Sequence, residues 1–330
     1  MSARTVLLPA LAVLLLFALA GSLLIGPAGL STPEALLGLF GSERGPAARV
    51  MREIRLPRSL LGAMIGASLG LAGAALQGYL RNPLAEPGLI GVSGAAALGA
   101  VLTLYTGLSA AFSLALPLGG IAGAMAAVVL VQLLAGREAG TITLILAGVA
   151  VTAFAAALTS LALNLAPSPF AALEIVFWLL GSLSDRSMEH VWLAAPFMVL
   201  GWLLLASTGR ALDALTLGEE AASSLGFRLP AIRLRLVLGT AFCVGAATAV
   251  AGAIGFVGLV VPHLLRPLVG HRPGALLPAS ALGGAVLLLL ADLVVRAIPT
   301  AQELKLGVVT ALIGAPFFFA LVLRTRRETA

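Results

Sequence analysis

The side chains best suited to catalysis or metal binding are few and far apart in this sequence. Its three histidines are His190, His263 and His271, and its one cysteine, Cys243, lies in an apolar run. No phosphate-binding loop, metal-ligand spacing or nucleophile elbow accompanies them. We therefore predict no catalytic residue, no metal site, no cofactor and no disulfide framework on this chain. His263 is expected to be a packing and hydrogen-bonding residue at the end of a helix.

A short polar stretch offers a different kind of chemistry, namely contact with another protein. Thr216 and Glu219 have the spacing of a capping box, which predicts that a helix begins there, and Gly226 is suited to end it. Helical spacing also separates an apolar stripe from polar residues. The two sets are Leu217, Ala221, Ala222 and Leu225 on one side and Glu219, Glu220 and Ser223 on the other. Such a helix either lies in a groove of a partner protein or only closes a loop, and the spacing leaves both open.

The elements around this stretch are membrane helices by composition. The 330 residues are 60% hydrophobic and 10% charged, with a mean hydropathy of +1.09, which is typical of a polytopic membrane protein. The 38 glycines suit close packing of helices in lipid. The net charge of +6 is explained by loop arginines near lipid headgroups rather than by nucleic-acid binding. We predict one transmembrane domain over residues 1–330, with no separate soluble domain.

Ten apolar segments are long enough, or nearly so, to cross a bilayer of about 30 Å, and the first is taken as a spanning helix rather than a signal peptide. They are residues 5–25, 59–80, 90–106, 110–135, 143–163, 191–207, 232–252, 255–269, 275–296 and 305–323. The predicted fold is all-α, a polytopic membrane protein with about ten transmembrane helices. An even number places both termini and the polar stretch on one side. Twelve of the 20 basic residues lie there, so the positive-inside rule assigns that side to the cytoplasm.

The two halves of the chain resemble each other at an offset of 179 residues. The matches are the Gly-rich segments that start at Gly66 and Gly245, and the prolines Pro83 and Pro262. In the ten-segment topology the second and seventh segments cross in opposite directions. Halves of about 59–163 and 232–323 would therefore be inverted repeats, which are common in transporters and favour a substrate path between them.

Five arginines crowd into one loop on the side opposite the polar stretch, against the positive-inside bias. They are Arg44, Arg49, Arg52, Arg55 and Arg58. A cluster that opposes this bias indicates a functional reason. Asp292 and Arg296 lie four residues apart near the same side, which predicts a local ion pair. The alternative is that Arg296 belongs to an outer docking surface.

Six ordered motifs resemble those of the FecCD/BtuC-type permease family, from about residue 50 to the C-terminus. They are Arg55-Leu-Pro-Arg58, Asn82-Pro-Leu-Ala-Glu-Pro-Gly-Leu-Ile-Gly91, Leu146-Ala-Gly148, Leu217-Gly-Glu-Glu, the segment 251–263 and the segment 307–316. The resemblance implies the transmembrane subunit of an ABC importer for ferric siderophores, haem or cobalamin in the bacterial inner membrane. It implies a homodimer around one pathway, two ATPase subunits that hold ATP and Mg²⁺, and a periplasmic substrate-binding protein.

The resemblance also assigns roles to residues. The coupling helices, at about 212–229, would seat in the ATPase; the matching residues are Thr216, Leu217, Gly218, Glu219, Glu220, Ala221, Leu225 and Gly226. The residues that match binding-protein docking positions are Arg55, Arg58 and Arg296. The residues that match the cytoplasmic narrowing of the pathway are Asn82, Leu84 and Thr141, and the fifth and tenth helices would line it. Lys305 departs from the family pattern, which has proline there, and predicts a looser start to the last helix.

Several alternatives stay open. Ferric siderophore leads as substrate because the family carries it most often, with haem and cobalamin as alternatives, and His263 could contact a haem or metal chelate. An ion-coupled secondary transporter would also show inverted repeats, but it needs mid-span carboxylates, whereas Asp292 and Glu174 lie near span ends. Leu84 either meets its copy in a homodimer as an apolar plug or packs within its own subunit.

Overall fold

The computed structural model describes residues 3–41, 45–112, 114–136, 140–300 and 303–329, and the regular secondary structure within these ranges is helical. The α-helices are α1 (Ala3–Leu24), α2 (Thr32–Phe40), α3 (Pro46–Arg49), α4 (Leu56–Tyr79), α5 (Val92–Tyr105), α6 (Leu108–Ala111), α7 (Ala115–Ala135), α8 (Thr141–Asn164), α9 (Pro169–Leu179), α10 (Met188–Ala206), α11 (Gly209–Leu215), α12 (Glu219–Ser224), α13 (Leu229–Ala251), α14 (Val257–Leu265), α15 (Pro273–Ala297) and α16 (Leu306–Thr329). A π-helix, Val50–Arg55, joins α3 to α4, and 3₁₀ turns lie at Pro87–Ile90 and Pro267–Val269.

The ten predicted segments correspond to α1, α4, α5, α7, α8, α10, α13, α14, α15 and α16, which confirms the all-α membrane fold. Within the described ranges, seven helical segments are long and apolar enough to cross a membrane. Of the predicted segment 255–269, the α-helix covers Val257–Leu265 and a 3₁₀ turn covers Pro267–Val269. α14 has 9 residues, which rise about 13 Å, less than half of the bilayer core.

Helix α4 lies at the centre of the bundle and is buried along most of its length. It packs against α15 through glycines. A Cβ atom built at Gly66 would collide with the carbonyl group of Gly284, and one at Gly70 with the carbonyl oxygen of Ser280. At Gly73, α4 meets α14 in the same way. Small residues therefore bring these backbones into direct contact, as is common where lipid supplies no hydrophobic force between helices.

The two halves pack reciprocally and run in opposite directions. Helix α4 packs mainly on α15, and α13 packs on α7, so the first long helix of each half contacts the third of the other. α4 begins beside the end of α15, at an ion pair between Arg58 and Asp292. α13 ends on this same side, because Ser182 donates a hydrogen bond to the carbonyl of Ala251 (2.7 Å) and the same loop contacts Glu303, a second partner of Arg58.

We name the two ends of the bundle by their contents. The ion-cluster end holds the start of α4 and the end of α15. The α12 end holds the opposite ends of these helices together with α11 and α12, because Asp213 of α11 accepts a hydrogen bond from the N–H of Gly274 at the start of α15 (2.7 Å).

The offset of 179 residues does not mark equivalent positions in the two halves. Gly73 lies inside α4, whereas its match, Gly252, is the C-cap residue of α13 with a φ of 74°. Pro83 lies in the loop after α4, whereas Pro262 lies within α14. The alignment at this offset is therefore wrong. The evidence for the inverted repeat is the reciprocal packing and the opposite directions of α4 and α13.

Candidate functional site

The polar stretch forms two short helices rather than one. Helix α11 ends at Leu215, and the hydroxyl of Thr216, its C-cap residue, donates a hydrogen bond to the carbonyl of Asp213 (2.7 Å). Helix α12 begins at Glu219, after Gly218 turns the chain with a φ of 108°. The predicted capping box between Thr216 and Glu219 is therefore wrong, because the hydroxyl is bonded back to α11.

The end of α12 confirms the predicted role of Gly226. Its φ is 88°, in the left-handed region that glycine adopts without strain. The N–H of Gly226 donates to the carbonyl of Ser223 (2.9 Å), and that of Phe227 donates to the carbonyl of Ala222 (3.1 Å). These two bonds form a Schellman motif. The chain therefore leaves α12 toward α13 in a fixed direction.

The predicted apolar stripe of α12 mostly points away from the rest of the chain. Ala222 is fully buried, whereas Leu217 and Leu225 are 71% and 62% exposed. Glu219 and Glu220 are exposed beside them. Exposed leucines next to carboxylates, outside the apolar spans, form a surface suited to a protein partner. We call Leu217, Glu219, Glu220 and Leu225 the coupling surface.

The coupling surface is tied to α15 through Asp213. One carboxylate oxygen of Asp213 accepts the N–H of Gly274 (2.7 Å), and the other accepts a hydrogen bond from Arg272 (2.9 Å). A carboxylate at a helix start also interacts favourably with the helix dipole. The apolar side of α11 is buried against the bundle. A displacement of α12 can therefore reach the start of α15 through α11.

Arg58 is the centre of an ion cluster at the opposite end of the bundle. Its guanidinium donates to both carboxylate oxygens of Asp292, with a shortest distance of 2.7 Å, and to Glu303. Asp292 also pairs with Arg296 at 3.1 Å, which confirms the predicted local ion pair. Ser184 donates a hydrogen bond to Glu303 (2.8 Å). The cluster thus joins α4, α15 and the loops that precede α10 and α16.

Two more guanidinium groups of this region close the end of α1. Arg55 and Arg296 each donate to two carbonyl oxygens at 2.9 Å. The acceptors are Leu23 and Leu24 for Arg55, and Ser22 and Ile25 for Arg296. A helix end leaves carbonyl groups without partners inside the helix, and a cation there complements the helix dipole. These arginines therefore stabilise the end of α1.

The three arginines assigned to docking are held inside the chain. Arg55 is 4% exposed, and the side chains of Arg58 and Arg296 are 10% and 4% exposed. Carboxylates and backbone carbonyls of the same chain accept hydrogen bonds from all three guanidinium groups. Whether a binding protein contacts them stays a prediction. Of the other arginines in this group, Arg49 is exposed, and Arg44 lies outside the described residues.

Glu303 is the acidic member of the ion cluster that reaches solvent, since its side chain is 35% exposed. Burial raises the pKa of Glu303, but hydrogen bonds from Arg58 and Ser184 and the charge of Arg58 outweigh that effect. The net pKa is lowered from the ordinary value of a glutamate. Glu303 is therefore ionised and paired at neutral pH.

Two non-helical segments meet inside the bundle, where α14 begins. Residues 252–256 follow α13 without forming a helix, and α14 starts deep in the bundle, where Gly258 contacts Gly73 of α4. The carboxylate of Glu86, in the loop after α4, accepts the N–H of Phe256 (3.0 Å). Irregular backbone at membrane depth needs such partners, and in transporters it marks the substrate path.

A buried glutamine fixes α4 to α14 near this junction. Gln77 is fully buried. Its side-chain oxygen accepts a hydrogen bond from Arg266 (2.6 Å), and its nitrogen donates to the carbonyls of Gly258 (3.4 Å) and Leu259 (3.3 Å). The Gln77 side chain thereby gives hydrogen-bond partners to these two carbonyls and to Arg266, which lipid could not supply.

The predicted gate residues lie in the turn that follows α4. The helix ends at Tyr79, and the Asn82 side chain accepts the N–H of Leu84 (2.9 Å). Asn82 is exposed and Leu84 is half-buried. The side chain of Thr141 lies outside the described part of the chain. The turn therefore breaks the helix as predicted, whereas the gating role of Leu84 stays a prediction.

Helices α8 and α16 leave apolar faces uncovered by the rest of the chain. The exposed large side chains are Ile142, Leu146, Val149, Phe154 and Leu161 on α8, and Leu312, Ile313, Phe319 and Leu323 on α16. A cavity of about 530 Å³ lies along the side of α16, and another of about 720 Å³ lies at the start of this helix. These faces are suited to a second copy of the chain or to a substrate path.

His263 and Lys305 both contact aromatic rings. The His263 ring packs edge-on against Phe317 of α16, with centroids 5.5 Å apart, as expected of a packing residue. Lys305 places its Nζ atom 5.7 Å from the ring centroid of Phe177, within the range of a cation–π contact. The carbonyl of Lys305 accepts the N–H of Val308 (3.1 Å). The looser start of α16 expected from Lys305 stays a prediction.

Comparison with known proteins identifies the family. Residues 14–324 match the FecCD transport family. This chain belongs to that family. The FecCD permease is 43% identical over 295 residues to an uncharacterized ABC transporter permease, YvrB, of Bacillus subtilis (strain 168), covering 88% of this chain and 83% of the relative. It is 40% identical over 278 residues to the vitamin B12 import system permease BtuC of Salmonella typhi, covering 83% and 84%.

A solved structure supports the same assignment. The FecCD permease superposes on a metal-chelate type ABC transporter in an inward-facing conformation with a TM-score of 0.85 and 34% identity, covering 96% of this chain and 98% of the other. The chain is therefore a membrane-spanning ABC importer permease. Its family implies ATPase and binding-protein partners and a dimeric assembly. The secondary-transporter alternative is thereby excluded.

Four residues whose hydrogen bonds join separate elements of the FecCD permease have no role predicted from the sequence. They are Gln77, Glu86, Asp213 and Glu303. Each is a polar or acidic residue within or next to an apolar segment, which is the signal that could have identified them. Among the described residues no group of three or more metal-binding side chains occurs.

Proposed function

We propose that this FecCD permease carries a metal chelate across the cytoplasmic membrane, driven by ATP hydrolysis on two partner subunits that bind the coupling surface. The observation that carries the proposal is the coupling surface itself. Leu217, which lies between α11 and α12, and Leu225, which caps α12, are exposed beside Glu219 and Glu220. Asp213 anchors the adjoining α11 to α15. Burying an exposed leucine in a partner's cleft stabilises a complex by about 1.5–3 kcal/mol.

Among metal chelates, cobalamin is the first substrate to test. The support is the likeness to BtuC, a permease of vitamin B12 import, over most of both chains. Ferric siderophore, the substrate expected first from the sequence, and haem are the alternatives. The cavity along α16 is lined by apolar residues such as Leu180, Ala311 and Phe319. Such a wall suits a large chelate that is held weakly and released.

The proposed assembly is a homodimer in which α8 and α16 of each copy meet along the pathway. Their uncovered apolar faces support this arrangement. The α12 end and both termini lie in the cytoplasm, and a periplasmic binding protein docks at the ion-cluster end. Two copies of the Asn82–Leu84 turn would then lie about one axis and narrow the pathway.

The coupling step follows from the anchoring of α11. Closure of the ATPase subunits around ATP displaces the coupling surface, and Asp213 transmits the displacement to the start of α15. The segment 252–256 and the loop carrying Glu86 lie where the two halves meet. A shift of one half against the other changes access at that junction. The chain itself supplies binding and movement, and the ATPase subunits supply the hydrolysis.

Replacing Leu217 and Leu225 together with aspartate is expected to lower the ATPase stimulation by loaded binding protein about tenfold or more, since each change places a charge in a buried contact. The measurement is ATP hydrolysis in proteoliposomes that contain the permease, its ATPase and its binding protein. The Leu268→Asp variant is the control, because Leu268 is 49% exposed at the same end of the bundle but lies outside the coupling surface. Unchanged stimulation in the double variant would contradict the proposed coupling surface.

Transport of radiolabelled cobalamin and of a ferric siderophore by the same proteoliposomes tests the substrate. We expect ATP-dependent uptake of cobalamin that the Leu217→Asp/Leu225→Asp variant loses. Uptake of the siderophore alone would make the siderophore the substrate and leave the coupling mechanism standing.

A further inference from the structure

A cavity of about 580 Å³ lies between α1, α4, α10 and α15, away from α8 and α16. Its wall is built largely of small residues, among them Ala67, Gly274 and Ala281. Ala206 and Pro278, which also line it, are exposed. The cavity therefore opens on the lateral surface of the bundle, between α10 and α15.

The cavity wall offers nothing to hold water. Every lining residue is apolar or aromatic. The polar atom that Trp202 contributes, its indole N–H, already donates to the hydroxyl of Ser68 (2.8 Å). Apolar cavities of this kind stay dry, and a void left empty is destabilising. A nonpolar molecule is therefore the expected occupant.

The occupant would complete the burial of the central helix. Between Leu61 and Gly78, the partly exposed residues of α4 are Ala63, Met64 and Ala67. All three line the cavity. The surrounding membrane thus reaches the middle of α4 through this opening.

The cavity has the length of one lipid leaflet. Along α15 its wall extends from Gly274 to Ala285, a rise of about 16 Å. Half of a bilayer's hydrocarbon core is about 15 Å. The cavity starts at the α12 end, where Ala206 ends α10, and reaches the middle of the bundle. This depth matches an acyl chain of the leaflet on the α12 side.

An exposed arginine lies beside the end of the cavity at the bilayer surface. Arg210 follows Gly209, which packs against Gly274 and Leu277 of the cavity wall. No salt bridge within the described part of the chain involves Arg210. A guanidinium group binds phosphate oxygens well, and basic sites at this depth bind anionic headgroups.

We propose that the cavity holds one acyl chain of an anionic phospholipid from the leaflet at the α12 end, with its phosphate contacted by Arg210. The acyl chain covers Ala63, Met64 and Ala67 of α4, and the small residues of α15 make room for it. This site is separate from the coupling surface and from the proposed pathway.

Native mass spectrometry of the full-length permease, purified from mixed phosphatidylglycerol and phosphatidylcholine, tests the site. We expect one phosphatidylglycerol per chain to survive delipidation. The Ala67→Phe variant should lower this occupancy about tenfold, whereas Ala126→Phe on the exposed side of α7 should not. The Arg210→Gln variant should reduce the preference for phosphatidylglycerol about fivefold, with Arg235→Gln as control. Equal lipid retention in Ala67→Phe and Ala126→Phe would overturn the proposal.

Fluorescence of Trp202 gives a second test that does not depend on a variant of the cavity wall. In a Trp178→Phe/Trp192→Phe background, phosphatidylglycerol brominated on its acyl chains should quench Trp202, and the quenching should persist after exchange into lipid-free detergent. Trp192, alone in the matching background, is 70% exposed and should lose its quenching at once. Equally fast loss at both positions would contradict a bound lipid. A dimer held through this cavity, and broken by Ala67→Phe, would assign it instead to a second copy.

Discussion

The Gly70→Ala variant is expected to lose most of its folded protein, although it adds only one methyl group. A Cβ at this position would collide with the carbonyl oxygen of Ser280 and crowd the Cα of Gly284. Backbone atoms of a neighbouring helix cannot change rotamer, so α4 and α15 must separate along their contact. Overpacking of a core costs about 1–3 kcal/mol, and a backbone collision lies at or above the upper limit. Thermal unfolding in detergent and the yield of monodisperse protein measure the effect.

The same methyl group placed at Gly94 of α5 is the matched control. A Cβ at Gly94 would lie 3.7 Å from its nearest neighbours, which is ordinary contact. Replacing a helical glycine with alanine there should raise stability by a few tenths of a kcal/mol up to about 1 kcal/mol. Equal melting temperatures for Gly70→Ala and wild type would show that α4 and α15 are not in backbone contact.

Replacing Asp292 with alanine is expected to destabilise the permease by about 3–5 kcal/mol, because it leaves buried guanidinium groups without their counter-charge. Asp292 is 1% exposed and serves both Arg58 and Arg296. Glu303 continues to pair with Arg58, whereas Arg296 loses its carboxylate partner. The free energy of unfolding in mixed detergent micelles is the quantity to measure.

Two further variants show whether the loss of stability comes from the charge of Asp292 or from any substitution at this end of the bundle. Asp292→Asn keeps the shape and one hydrogen-bond acceptor but removes the charge. We expect it to lower the free energy of unfolding less than Asp292→Ala does. Glu53→Ala removes an exposed carboxylate near the same end of the bundle, and it should change stability by less than about 0.5 kcal/mol. A loss in Asp292→Ala no greater than in Glu53→Ala would show that the ion cluster does not stabilise the fold.

The positions of the long helices could be predicted because hydrophobic length alone sets them in a membrane protein. The short length of α14 could not. Residues 252–256 are as apolar as a helix, and the left-handed Phe256, with a φ of 66°, is held by Glu86 from 170 residues earlier. A contact so distant in sequence leaves no local pattern. The predicted segment 255–269 therefore starts before α14 and is longer than it.

The candidate site shows the same division between local and distant information. Gly226 ends α12 as predicted because its left-handed conformation is a local property. Thr216 could bond forward or back, and its choice depends on where α11 ends. The internal partners of Arg58 could not be predicted, because Asp292 and Glu303 lie 234 and 245 residues away from it in the sequence.

The glycine contact between α4 and α15 determines what kind of movement the permease can make. Two helices whose backbones touch cannot slide or rotate past each other without a collision, so the pair behaves as one stiff lever. One end of this lever is fastened to α11 by Asp213, and the other carries Asp292 of the ion cluster. In the proposed coupling step, a displacement at the α12 end would then reach the far end as a tilt of the whole pair. Movement would cross the membrane as a rigid-body tilt, with no chain of side-chain rearrangements in between.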